Sequence, residues 1–374
     1  MRLRRWIVAL AALAAQPALA HAGSLRKLWE VDLRKEVHAT DGLPEFPVFA
    51  LRFSPNGKRL AIIGDVYNTS RRAIISDLYG AGRNKKSRLV VIDVDHPAAG
   101  VGEFEVGFGI HEDEHGRAEL NFGWAPSGGI IYAGGTVTHL SDGTTCELPY
   151  ERGIFVADDL ALSAQGSRVG FYSPYCETQG YWDVPGSWLI SDVSADRGLL
   201  SVMSTISAAE WEGLIVDPLS RRILQRWPGN VGAGVWRFAN GGKAVCQSGA
   251  VLESDSAPAV CRDVDTGQII NETRSNGIEP VAVASRATRM VVSDYRRRKS
   301  LFSYEYSTTF HGRIVWDFGA GKALASWQPE SERYPNVFNP GAAITAPFHF
   351  AISPDGNYIA EGGNGIIRLY KIEP

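Results

Sequence analysis

The sequence is short of the patterns that most directly signal chemistry. Its four cysteines include no C-x-x-C pair, so a dithiol redox motif and a zinc ribbon both lack their ligands. There is no G-x-S-x-G elbow and no glycine-rich phosphate loop, which removes the signatures of an α/β-hydrolase and of a P-loop nucleotide enzyme. Neither sign of charge prevails: 38 Lys and Arg face 41 Asp and Glu, a net −3, too little to draw the chain to nucleic acid or an acidic membrane surface. No copy of the repeat described below carries a helical 3.6-residue apolar pattern, so helix-built folds are excluded. Beyond residue 22 no apolar run approaches the roughly 20 residues that span a bilayer.

What is present begins with "MRLRRWIVALAALAAQPALAHAG". Arg2, Arg4 and Arg5 precede an apolar run, Trp6 to Ala15, and then come Pro17 and the small-residue sites "ALA" and "AHA". This is the order of a secretory signal peptide, with cleavage expected after Ala20 or Ala22. A run of about ten residues is too short to anchor in a bilayer, and no cysteine follows for lipid attachment. Residues 1–22 are read as the signal peptide and 23–374 as one exported domain, periplasmic or extracellular. Export makes the cysteines disulfide candidates. Cys246 and Cys261 lie in "KAVCQSG" and "PAVCRDV", two apolar runs joined by a polar loop, where a hairpin lets them face each other. Cys146 and Cys176 then pair by default.

One phrase recurs: an apolar strand, a tight polar turn, a second apolar strand. It reads "LRFSPNGKRLAIIG" from Leu51, "FGWAPSGGIIYAGG" from Phe122, "LALSAQGSRVGFYS" from Leu160 and "SDVSADRGLLSVMS" from Ser191. It returns as "WRFANGGKAVCQSG" from Trp236, "VAVASRATRMVVSD" from Val281 and "FAISPDGNYIAEGG" from Phe350. Ser, Pro, Asn, Asp and Gly between β-rich runs spell hairpins. A second phrase, a strand ending in x-Asp, a turn and another strand, follows most copies. Its aspartates are Asp93, Asp183, Asp217, Asp263 and Asp317, and a repeated Asp at a strand end caps the neighbouring turn more readily than it catalyses. The unit is four antiparallel strands, A to D. Units of that kind must stack on one another to bury both faces, so the chain is all-β and a β-propeller. Seven blades are counted. Copies three and four start only 31 residues apart, at Leu160 and Ser191, which leaves six open.

The Ser54–Gly57 and Ser353–Gly356 turns, SPNG and SPDG, and the dipeptides Trp182-Asp183 and Trp316-Asp317 resemble those of the WD-repeat propeller family, over nearly the whole exported chain. Copies three to six depart from it by lacking the turn proline. The resemblance implies a scaffold rather than an enzyme, closed by a terminal strand: Leu25–Leu33 is expected to pair with Ile366–Ile372 and complete the last sheet, removing an exposed edge.

His111 to His115, "HEDEH", match the zinc-protease pattern letter for letter. That pattern needs a helix to bring both histidines to one ion. Here it falls between strand D of blade 1 and strand A of blade 2, bracketed by Gly109 and Gly116, so no metal site is assigned. His115 also stands eleven residues before Pro126, where the resemblance places a bracing histidine.

Two stretches break the compact repeat, Asp65–Arg88 in blade 1 and Asp294–Gly312 in blade 6, both between strands B and C. They carry Arg71, Arg72, Lys85, Lys86, Arg296, Arg297, Arg298 and Lys299, with Tyr79, Phe302, Tyr304 and Tyr306 among them. Long loops in compact domains are often functional, and Arg and aromatic side chains favour binding hot spots. Propeller topology puts B–C and D–A connections on one face, so these residues are the candidate docking face for a protein or an anionic surface glycan. A monomer with no cofactor, no nucleic-acid partner and no catalytic residue is expected. The rival reading is a propeller enzyme of lactonase or cofactor-dependent type, with its site in the central channel. Strands A read mostly neutral, and His349 is the candidate to face that channel.

Overall fold

The computed structural model describes residues 23–33, 48–64, 86–97, 101–107, 122–149, 153–207, 210–229, 236–247, 259–273, 278–299, 306–328, 333–335, 343–345, 349–363 and 365–373. Strands alternate apolar residues toward both faces, because each blade is covered on both sides. In Arg59–Gly64, for example, Leu60 and Ile62 enter one buried cluster and Ala61 and Ile63 another. Successive side chains of a strand point to opposite faces, so such a strand reads as a continuous apolar run.

Seven antiparallel sheets of four strands follow, a seven-bladed propeller. Blade 1 holds Val48–Phe53, Arg59–Gly64, Lys86–Asp93 and Val101–Gly107; blade 2 holds Phe122–Trp124, Ile130–Ala133, Thr136–His139 and Thr145–Glu147. Blade 3 is Gly153–Ala157, Leu160–Gln165, Arg168–Tyr172 and Thr178–Asp183; blade 4 is Ser187–Ser194, Leu199–Ser207, Glu210–Asp217 and Arg222–Gly229. Blade 5 is Trp236–Ala239, Ala244–Gln247, Ala259–Asp263 and Ile269–Thr273, and blade 6 is Ile278–Val283, Arg289–Lys299, Tyr306–Asp317 and Lys322–Trp327. Blade 7 joins His349–Ile352, Tyr358–Gly363 and Ile366–Ile372 to Leu25–Asp32 from the other end of the chain. A small hairpin, Arg333–Pro335 with Ala343–Thr345, lies in sequence between blades 6 and 7.

The core is divided in the same way as the sheets. Each of the seven buried clusters fills the gap between two adjacent blades, from blades 7 and 1 round to blades 6 and 7. Closure is as expected: Leu25 pairs with Ile372 and Asp32 with Ile366. Trp29 donates its indole N–H to the Val94 carbonyl of blade 1 at 2.9 Å. Arg368 meets Glu30 at 3.0 Å and holds that carboxyl below its usual range, with help from Lys27.

Both disulfides form as paired in the sequence. Cys246 and Cys261 stand opposite each other on strands B and C of blade 5, with Cα atoms 4.0 Å apart. Cys146 on strand D of blade 2 bonds Cys176 in the C–D turn of blade 3, with Cα atoms 6.0 Å apart.

The phase of blade 3 needs correction. "LALSAQGSRVGFYS" is its B–C hairpin, not A–B. Strand A is Gly153–Ala157, joined to strand B by a two-residue turn at Asp158-Asp159. Trp182-Asp183 therefore ends strand D instead of strand C. The shift also explains the short spacing between copies three and four: one is a B–C hairpin and the next an A–B hairpin, in different blades.

Candidate functional site

Strand A of every blade borders the central channel, and one position recurs in each, two residues before the residue that opens the A–B turn. Around the ring it is Arg52, Gly123, Phe155, Asp192, Arg237, Ala282 and Ala351. Four of the seven are uncharged, and three of those are Gly or Ala. The small residues leave space, and a cavity of about 140 Å³ opens at this level toward the A–B turns. The three charged residues meet in its wall. Asp192 Oδ1 lies 3.9 Å from Arg52 Nη2 and 3.8 Å from Arg237 Nη1. Its other oxygen accepts the Phe238 backbone N–H at 2.9 Å, which ties blade 4 to blade 5. Burial pushes the Asp192 carboxyl above its usual range, against the opposing pull of Arg52 and of that N–H.

The mouth of the cavity carries a second ion pair. Asp196 in the A–B turn of blade 4 receives Arg286 from the A–B turn of blade 6, at 2.9 and 3.3 Å. The bond to Asp196 holds the Arg286 guanidinium charged beyond its usual range. The turns around this rim are hooked to one another by backbone: Gly241 N–H donates to Ser285 O at 2.8 Å, and Arg286 N–H to Pro354 O at 2.9 Å. With the Asp196–Arg286 pair, these bonds link the A–B turns of blades 4, 5, 6 and 7.

His349, the residue expected to face the channel, is not among the residues that line this cavity. It is half-buried, and desolvation together with the Arg313 charge pushes it down to about 4, so it is neutral at pH 7. Arg313 in turn sits over the Phe350 ring at 4.6 Å.

The expected docking face is in part a different object from a pair of loops. In blade 6, Arg296, Arg297, Arg298 and Lys299 are strand residues, in register opposite Thr309, Thr308, Ser307 and Tyr306. Strand A pairs no further than Asp294 and strand D no further than Arg313. From Tyr295 outward the hairpin leaves the blade as a two-stranded arm, five pairs long to Lys299, or roughly 16 Å at 3.3 Å per residue. Gly312 makes the departure. The register slips between Asp294 and Tyr295, Gly312 takes φ +139°, and a Cβ there would stand 2.7 Å from Trp327 O. Only glycine fits that backbone. Lys86 opens strand C of blade 1, opposite Gly107. Arg71, Arg72, Tyr79, Lys85, Phe302, Tyr304 and the HEDEH stretch lie outside the described residues.

The aspartates that end strand C are turn caps. Asp93, Asp217, Asp263 and Asp317 each accept two backbone N–H groups from residues two and three further on, at 2.7–3.1 Å. Asp183 instead accepts Arg168 Nε at 2.8 Å.

The channel charges were missed in the sequence because strands A read as neutral overall. Aligning the seven copies on their turns would have shown them, since Arg52 of "LRFS" and Arg237 of "WRFA" occupy the same place.

No known protein-family model matches the chain, and no curated protein matches it. Among solved structures it resembles a chain of the mitotic checkpoint complex, at 9% identity and a TM-score of 0.56 over 96% of both chains. It also resembles a chain of Kuenenia stuttgartiensis hydrazine synthase, at 12% identity and a TM-score of 0.51 over 90% of this chain and 98% of that one. These likenesses establish the fold. They belong to assemblies of unrelated purpose, as expected of an architecture that hosts many functions.

Proposed function

We propose that this chain is an exported, monomeric binding propeller of the WD-repeat type that docks a protein partner through its B–C face. The arm of blade 6 carries the reading. Among the described residues, its strands have no neighbour beyond Asp294 and Arg313, and an unpaired edge is a template for an added strand. Four consecutive basic residues on it, Arg296 to Lys299, favour an acidic partner segment and salt-sensitive association. Export is supported by the signal-like leader and by the two disulfides, since such bonds persist in oxidising compartments. Among the described residues no helix is long and apolar enough to cross a membrane.

The test is capture from the native envelope or secreted fraction by the exported chain and by a variant with Arg296, Arg297, Arg298 and Lys299 changed to Ser. A protein held by the native form and released by the variant is the expected result. Equal capture by both removes the arm from the interface. Capture of an anionic glycan in its place redirects the reading to a lectin-like role.

A further inference from the structure

We propose that the channel cavity is a binding site for a small organic carboxylate, held by Arg52 and Arg237 with its apolar body against the channel wall. This site opens on the A–B rim, opposite the arm, and stands independently of the docking reading.

The charge balance is the first argument. Five charged side chains line the cavity, the cations Arg52, Arg237 and Arg286 and the anions Asp192 and Asp196. Among the described residues this is three cations to two anions, a lining that favours an anion. Asp196 and Arg286 satisfy each other at the rim; deeper in, Arg52 and Arg237 flank the Asp192 carboxylate.

Arg52 is the second argument. Among the described residues its guanidinium donates no hydrogen bond; its nearest acid oxygen is Asp192 Oδ1, too far at 3.9 Å. Its side chain is 25% exposed, to the channel. Its half-buried guanidinium keeps donors turned to the channel, and its planar fork matches a carboxylate. Ala282 and Ala351 of the same ring keep the space beside it open, and Gly123 gives the guanidinium room, since a Cβ there would stand 3.4 Å from Arg52 Nη1.

Shape supplies the class. Apart from Ser194 and Ser285 the rest of the described wall is apolar, with Phe53, Trp124, Phe350 and Ile352 in it, so a bare inorganic ion would leave most of the cavity unfilled. The 140 Å³ accommodates about ten water-sized groups, the size of a benzoate or a medium-chain fatty acid.

Calorimetric titration of the exported chain with benzoate, hexanoate and inorganic phosphate tests this. Saturable binding of a carboxylate is expected, weakened about tenfold or more by Arg52→Met. It should be unchanged by Arg226→Gln, a change on the outer strand of blade 4. Because Arg52→Met alters the charge around Asp192, Ala282→Leu is the second variant: it fills the cavity and leaves every charge in place, and it too is expected to lose binding. The proposal is overturned by no carboxylate binding up to about 10 mM. It is equally overturned if a folded Arg52→Met or Ala282→Leu protein binds like the native one. Phosphate binding as tightly as benzoate overturns the organic-acid assignment.

Discussion

Trp182-Asp183 and Trp316-Asp317 are the same two letters in blades 3 and 6, and they do different things. Both tryptophans pack at the edge of an inter-blade core. The aspartates differ. Asp317 ends strand C and gathers the N–H groups of Gly319 and Ala320 and the Thr288 hydroxyl. Asp183 ends strand D, with its side chain 75% exposed and paired to an equally surface-lying arginine. At the C–D turn, where blade 6 uses a carboxylate, blade 3 uses Ser173, whose hydroxyl accepts the N–H groups of Tyr175 and Glu177, and a disulfide from Cys176 to blade 2. A short motif takes its role from the strand it terminates, and the same turn can be fixed by two unrelated means.

Breaking the bridge is the largest test of that contrast. Replacing Cys146 and Cys176 by Ser opens a loop of 30 residues, which corresponds to about 3–4 kcal/mol by chain entropy. Chemical denaturation should show the loss, and limited proteolysis should cut first near the blade 3 turn. Cutting elsewhere first would mean that the bridge is not what secures it.

The seam between blades 6 and 7 brings a pH dependence that the turn of blade 3 does not. His349 titrates near 6.5 in an unfolded chain and is pushed down to about 4 beside Arg313 in the folded one. Between these values the unfolded chain binds a proton that the folded chain refuses, so stability falls as pH drops from about 6.5 to 4. The full effect is as much as about 3 kcal/mol. His349→Gln should flatten the melting temperature across that window, and an unchanged slope would assign it to other groups.

The dipeptides themselves give the two smaller effects. Asp317→Ala removes a carboxylate that accepts three hydrogen bonds and should cost about 2 kcal/mol. Asp183→Ala removes an exposed pair and should cost less than about 0.5 kcal/mol. Equal costs would erase the distinction between cap and surface pair.

The ring, its closure and the Cys246–Cys261 bridge were legible because they rest on strong local signals: turn residues at a fixed place, apolar strands on both sides, an orphan strand at one end, and cysteines in runs that face each other; Cys146–Cys176 followed by default. Blade 3 was misphased because its A–B turn is Asp158-Asp159, without the Ser, Pro or Gly that marks the others, while its B–C turn mimics the missing signature at Gln165 to Ser167. The arm was read as a loop because four adjacent basic residues have little intrinsic preference for a strand; the β-rich stretch that pairs with them, "YSTTF", supplies it. The cavity escaped notice because two alanines and a glycine matter there for what they leave empty.

Closure also sets an order in time. Arg26 and Glu373 meet across 347 residues of chain, so Leu25–Asp32 leaves the ribosome long before the strand it pairs with. Seven interfaces and no central core mean that an incomplete chain always has one blade with a bare face and an unpaired edge. Contacts this distant in sequence form slowly, and during that wait Leu25–Asp32 is a loose strand and Ile366–Ile372 an open acceptor. Neighbouring chains in the same state can exchange them, so the feature that seals the finished ring also makes strand swapping the characteristic error of its assembly.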